Sequence, residues 1–210
     1  KVGVIKNADG SAMFKIGKTT ALAAVYGPRD LYPRFLSDPT KGILRVSYVM
    51  MPFAGAGDRV RPGPNRRSRE IALVTEQALM PVIDLSEFPN SVVDVVIELP
   101  QTDAGTRCAG ICAAAMALAD AGIKMKDLIS SVAVGCLNGT PVVDLSKEEE
   151  DLEGENADVP MAVISGSGEV TLLQLDGEVE KEHLLRAIEM GKEACKKIYD
   201  IQKNALKKKY

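Results

Sequence analysis

The sequence predicts an α+β fold, with helices packed on mixed β-sheet, and three observations carry that prediction. Short β-prone runs separated by turn residues open the chain, an alanine-rich helix follows a strongly β-prone stretch in the middle, and a long amphipathic helix closes it. Strands come in runs and do not alternate one for one with helices, which argues against a doubly wound parallel sheet. With 210 residues, 46% of them hydrophobic, the chain is long enough to bury one large core and is read as a single domain over 1–210.

Taken in order, 2–5, 12–16 and 20–26 read as strands of a meander, separated by Asn7-Ala8-Asp9-Gly10 and Gly17-Lys18. Gly17-Lys18-Thr19 is not a nucleotide P-loop, because Ala12 stands where that motif needs glycine and a β-prone run follows where it needs a helix. Residues 27–42 form a long loop carrying Arg34, and 43–51 a strand. The glycine- and proline-rich stretch 52–64 ends where Asn65 or Ser68 can cap a helix whose Ile71, Val74, Ala78 and Val82 recur at helical spacing. Residues 91–99 are a strand, the alanine-rich helix runs from Cys108 to Ala121, and 130–136 and 141–145 are strands joined by Asn138-Gly139. A hairpin over 161–165 and 170–175 and a helix from Val179 to Lys203, with Leu184, Ile188, Gly191, Cys195 and Ile198 on its buried stripe, complete the chain.

Composition excludes several functions. No apolar run approaches the roughly 20 residues that span a bilayer, and the first residues resemble a strand and not a signal peptide. Four cysteines with no Cys-x-x-Cys spacing fit a reducing, cytoplasmic setting, and a lone histidine, His183, makes a histidine-based triad hard to build. The net charge of −3 is not that of a typical nucleic-acid binder, but the charge is unevenly spread. Arg59, Arg61, Arg66, Arg67 and Arg69 share one window, and Glu148, Glu149, Glu150, Asp151, Glu153, Glu155 and Asp158 crowd another.

Gly105, Thr106 and Arg107, at the start of the alanine-rich helix, combine close backbone approach, a hydroxyl, a guanidinium and unpaired helix amides. Together these make an anion site, or else an ordinary helix start capped by Thr102 or Asp103. Arginines in the first turn of the 66–69 helix oppose its dipole, which is easier to understand if an anion binds between them.

Lys6-Asn7-Ala8-Asp9-Gly10-Ser11-Ala12, Tyr32-Pro33-Arg34, Arg66-Arg67-Ser68-Arg69-Glu70-Ile71, Asp103-Ala104-Gly105-Thr106-Arg107, Ala117-Leu118-Ala119-Asp120-Ala121-Gly122-Ile123, and Asp144-Leu145 through Glu150-Asp151 to Ala157-Asp158 follow one another over nearly the whole chain. In that order and spacing the sequence resembles the RNase PH family, and within it the catalytic ring subunits of the archaeal exosome. The resemblance implies a metal-assisted, phosphate-dependent 3′ to 5′ exoribonuclease that releases nucleoside diphosphates from single-stranded RNA and runs in reverse as RNA tailing. It implies phosphate on Gly105, Thr106 and Arg107, RNA on Arg66, Arg67 and the pore-lining Arg34, and catalysis by Asp151 as general acid with Asp158 as second carboxylate, the pair also holding Mg²⁺ or Mn²⁺. Asp151 and Asp158 stand slightly further apart than in the family, which leaves Asp144 and Glu155 as alternatives. The implied partners are a related non-catalytic subunit in a hexameric ring, a trimer of dimers, and RNA-binding cap subunits, with no membrane; a family N-terminal segment is missing before Lys1.

Two other readings compete. A non-catalytic scaffold of the same kind of ring would not need Asp151 and Asp158 beside the anion site, and an enzyme of small phosphorylated molecules would not need Arg34, Arg66 and Arg67.

Overall fold

Two sheets share one buried helix. In a computed structural model that describes residues 1–56, 60–150 and 156–209, the first sheet holds β1 (Gly10–Ile16), β2 (Thr19–Asp30), β3 (Ile43–Met50) and β4 (Ser91–Gln101). Their order is β1-β2-β4-β3, with β1/β2 and β2/β4 antiparallel and β3/β4 parallel, so the sheet is mixed as expected. Helix α1 (Arg66–Leu79) lies in the crossover between the two parallel strands and packs on β3. The second sheet contains β5 (Ile129–Leu137), β6 (Thr140–Val143), β7 (Asn156–Ile164) and β8 (Val170–Leu173) in the order β6-β5-β7-β8, all antiparallel, with β9 (Asp176–Gly177) paired to β7.

The shared helix is α2 (Thr106–Asp120), and thirteen of its fifteen residues are buried. Its alanines explain this placement, since a helix of small side chains that is apolar on every face can be covered on every face. It packs on β1, β2 and β4 from one side and on β5 and β7 from the other. The short α3 (Lys147–Glu150) follows β6. Helix α4 (Lys181–Lys207) covers β5 through Ala187, Gly191, Cys195, Ile198 and Gln202. At Gly191 an added Cβ would meet Val134 Cγ1 at 2.9 Å and would also run into the Met161 sulfur, so glycine sets how closely α4 sits. No helix among the described residues is long and apolar enough to cross a membrane.

Several expectations change. Residues 2–5 form no strand: only Val2 bridges to Ala12, because Gly3 turns to φ +67° and ends the alternation. β2 runs on to Asp30 through a register shift between Tyr26 and Arg29, so the predicted loop over 27–42 begins four residues later. Thr75 and Leu79 are buried on α1 while Val74 is only half-buried, and Val82 falls in a separate 3₁₀ turn. The strand predicted from 161 starts at Asn156, which places Asp158 within a strand, and the strand predicted to end at 175 ends at Leu173.

Candidate functional site

The anion site at the start of α2 is shaped by a backbone turn held from both sides. The turn passes the first residue of β2, where the buried Thr19 hydroxyl accepts from Asp103 N at 2.9 Å and donates to Ala104 O at 2.8 Å. Thr102 N donates to Ala54 O at 2.8 Å, drawing the glycine-rich segment after β3 onto the same turn. Gly105 adopts φ +61°, left-handed backbone that favours glycine, and α2 begins at the next residue. Among the described residues no side chain caps the helix: the alternative of a Thr102 or Asp103 cap is not realised, and Asp103 Oδ1 instead accepts Lys147 N at 3.1 Å. The uncapped end, with its partial positive charge, lies at a cleft.

That cleft has two adjoining lobes. One, of about 240 Å³, is lined by Thr102 through Arg107. The other, of about 370 Å³, is lined by residues of the second sheet that include Asp176. Arg67, Arg107, Lys147, Glu150 and Asp158 border both. Five of the predicted site residues thus come together: Gly105 with Thr106 and Arg107 at the start of α2, Arg67 from the first turn of α1, and Asp158 from β7. Asn65 caps α1 in a reciprocal pair with Ser68, which fixes the turn that presents Arg67.

Other predicted residues lie elsewhere. Arg66 lines neither lobe. Arg34 is exposed in a 3₁₀ turn with its guanidinium 5.9 Å from the Tyr32 ring centroid, outside both lobes. Asp151, with Glu155 and Arg59, falls outside the described residues. Asp144 also lines neither lobe; it is half-buried behind Gly105, and burial first, then Asp103 and Glu149, push its carboxyl above the usual carboxylate range. Cys108 and Cys112 are buried free thiols, Cys108 being pushed up to about 12 by burial, as fits packing residues.

The Asp158 carboxyl carries the most unusual environment. Its Cα partners across the ladders are Gly135 on β5 and Asp176 on β9. Burial raises it above the usual carboxylate range and Asp176 adds to the rise, while Arg107 and Arg67 pull against both. Its Oδ1 is buried with no hydrogen-bond partner among the described residues. An orphaned hard oxygen acceptor suits a proton or a divalent cation such as Mg²⁺ or Mn²⁺. Among the described residues no three His, Cys, Asp or Glu side chains gather as a metal cluster.

The structure adds residues that sequence reasoning passed over. Arg107 Nη1 donates to Gln174 Oε1, and Glu70 Oε1 stands 3.5 Å from the same nitrogen. Glu70 sits one helical turn beyond Arg66 and Arg67, a spacing that puts it on their face of α1. Gln174 and Asp176 had no local signal, since their partners come from distant parts of the chain.

An α+β fold with a helix end, two arginines and a raised carboxyl around one cleft has the chemistry that suits phosphate groups. The descriptions "3′ exoribonuclease family, domain 1" and "3′ exoribonuclease family, domain 2" match residues 1–124 and 127–194. The chain therefore belongs to the RNase PH family of 3′ exoribonucleases. It is 50% identical over all 210 residues to the exosome complex component Rrp41 of Thermococcus kodakarensis, of which it covers 83%. Among solved structures it is similar to rice (Oryza sativa) Rrp46, with a TM-score of 0.85 and 23% identity over 99% of this chain and 92% of that one. It is also similar to an Archaeoglobus fulgidus exosome chain solved with RNA bound to the active site, with a TM-score of 0.78 and 23% identity over 95% of this chain and 85% of that one. At that identity the two structures speak for the fold alone.

Proposed function

We propose that this cleft degrades single-stranded RNA from its 3′ end by phosphorolysis, as the catalytic subunit of an archaeal-type exosome ring. The observation that carries the reading is the meeting of the uncapped Gly105–Thr106–Arg107 helix start with Asp158 and Arg67 around one cleft. Inorganic phosphate sits on the α2 amides, the Thr106 hydroxyl and Arg107 in the first lobe, and the terminal nucleotide of the RNA lies in the second. Arg67, with Arg66 beside it, grips the backbone phosphate next to the scissile bond, as guanidinium forks match phosphate oxygens. A phosphate oxygen attacks the last phosphorus, the bond from that phosphorus to the 3′ oxygen breaks, and a nucleoside diphosphate leaves. Asp151 returns a proton to the departing 3′ oxygen. Because one phosphate linkage replaces another, the reaction is reversible and adds 3′ tails when nucleoside diphosphates are in excess.

Asp158, with its orphaned oxygen, and Asp151 would hold Mg²⁺ or Mn²⁺, which when bound neutralises charge on the phosphate oxygens. The rest of the stabilisation comes from fixed donors, which suffices for a transfer that rests on positioning and charge. The relative from Thermococcus kodakarensis is an exosome component; we place this chain, as the family resemblance implies, in a ring with a related subunit and RNA-binding caps, in the cytoplasm. The exposed Phe53 and the exposed Tyr32, Phe35 and Leu36 around Arg34 in the sequence offer apolar surface for such neighbours, and Arg34 would face RNA in the channel. Incubation of the chain and a related ring subunit with single-stranded RNA, phosphate and Mg²⁺ tests the reading. Phosphate-dependent release of nucleoside diphosphates is expected, and nucleoside monophosphates released without phosphate would refute it.

A further inference from the structure

We infer that Gln174 is a positioning residue of the phosphate site, holding Arg107 through a neutral acceptor whose orientation Glu70 sets. This rests on the reading that Arg107 binds phosphate. Arg107 is a long side chain near the start of α2, and its guanidinium can serve an anion only if something fixes its direction. The contact that does so is Nη1 donating to Gln174 Oε1. The Glu70 contact to the same nitrogen, at 3.5 Å and with the Glu70 side chain 44% exposed, is too long and too solvated to do it alone.

Glu70 has a second role. Gln174 Nε2 donates to Glu70 Oε1 at 3.3 Å. An ionised carboxylate only accepts, so Glu70 takes the NH₂ end of the amide and leaves the carbonyl end for Arg107. The backbone is held as well: Gln174 N donates to Pro160 O at 3.1 Å, two residues along β7 from Asp158, and Pro160 itself lines the cleft. The relay therefore joins α1, which carries the RNA-binding Arg67, to α2, which carries the phosphate-binding Arg107, and to the strand that carries Asp158.

The amide suits the task because it is uncharged. A carboxylate at 174 would also accept from Arg107 but would neutralise the charge that phosphate needs, whereas glutamine orients the guanidinium and leaves its charge to the ligand. An apolar residue of the same length would leave the charge intact and lose the orientation. Both changes should weaken phosphate and spare RNA, for opposite reasons.

The test uses the full chain assembled with its related ring subunit, as wild type, Gln174→Glu, Gln174→Met and Glu70→Gln. Initial rates are taken with phosphate varied at saturating RNA and with RNA varied at saturating phosphate, and binding of inorganic phosphate alone is followed by calorimetric titration. Both Gln174 variants should raise the KM for phosphate about tenfold, Gln174→Met by losing one charge-assisted hydrogen bond and Gln174→Glu by neutralising the Arg107 charge, with the KM for RNA within about twofold of wild type. Glu70→Gln should raise it less, about threefold, because the amide can then turn over. Phosphate affinity in the titration should fall by the same factors. Equal KM values for phosphate in wild type and both Gln174 variants would overturn the inference. So would parallel rises in both KM values, the mark of a general structural role. A wild type that binds phosphate but releases no nucleoside diphosphate would refute the proposed activity, and the titration would still decide the role of Gln174; a wild type that binds no phosphate would remove both.

Discussion

Replacing Asp158 with asparagine should make the protein more stable and inactive at once. The carboxyl is raised by burial, with Asp176 opposite it, and one of its oxygens is buried without a partner. A carboxyl whose folded pKa lies above its ordinary value of 3.8 binds its proton more tightly in the folded chain than in the unfolded one. Its favourable contribution is fully present below the unfolded value and is lost as the pH rises through the folded one, so at neutral pH the ionised group opposes folding. Asparagine removes the charge and can turn its NH₂ toward Asp176 and its carbonyl toward the arginines. An unsatisfied buried polar group costs about 1–3 kcal/mol, and partial exposure together with the arginines brings the expected gain to the low end, about 1 kcal/mol. For a chain of this size that is a rise of roughly 2–4 °C in Tm. Thermal unfolding in phosphate-free buffer at pH 7 is the assay, since bound phosphate would stabilise the wild type by mass action. The gap between the two proteins should close on acidification. Activity should fall sharply, because an amide is a poorer ligand than a carboxylate for Mg²⁺ or Mn²⁺. An asparagine variant that melts no higher than wild type at pH 7, or a gap that widens as the pH falls, would show that the carboxylate is satisfied in the folded chain and that its placement exacts no stability.

Other residues give separable outcomes. Arg67→Ala should flatten the dependence of log K on log salt for single-stranded RNA by about 0.7, and adding Arg66→Ala should take the change to about 1.4, read by fluorescence anisotropy. An unchanged slope places the arginine away from the RNA. Asp151→Asn should lower turnover by about 10²- to 10⁴-fold while RNA affinity stays near wild type, because an amide keeps the shape but supplies no proton. Thr19→Val removes the two bonds by which this hydroxyl holds the turn before α2 and strands the Asp103 amide, so urea unfolding should show a loss of about 1–3 kcal/mol, with weaker phosphate binding. Unaltered stability would mean that another group replaces the hydroxyl.

The parts of this architecture that could be read from sequence are those whose physics is local. Gly105 followed by an alanine-rich run marks the start of a buried helix, because only a helix of small side chains can be covered on all faces. Asn65 and Ser68 signal the α1 cap, and the structure uses both. Errors arose where a local signal was overridden. Pro28 and Gly27 look like the end of a strand, yet a register shift lets β2 continue past them to Asp30. The acidic run hides the start of β7, since Asn156 to Asp158 look like more of the same loop until pairing with Leu137, Cys136 and Gly135 gives them a ladder. Glu70 and Gln174 meet across 104 residues of chain, and neither period nor composition reports such a pair.

The proposed phosphate site stands at the end of the most buried helix of the fold, and this has a chemical consequence. A helix end attracts an anion most strongly when its amides are already aimed and do not reorganise as charge develops. Here the turn leading into α2 is fixed by Thr19, and a β-carbon added at Gly105 would come within 3.5 Å of Ala133 Cβ on β5. Further along, the Cys112 sulfur donates to Ser131 O at 3.3 Å and accepts from Ser131 N at 3.2 Å, locking the helix to the second sheet. The first sheet holds the other side of the same helix. Arg67 moves with the first sheet through α1, and Asp158 belongs to the second. The separation of Arg67 from Asp158 is therefore set largely through α2, with the Glu70–Gln174 contact as a second tie. Rigidity at the reacting centre comes from the core, and the unfavourable burial of one carboxylate is tolerated because that core is large enough to hold it.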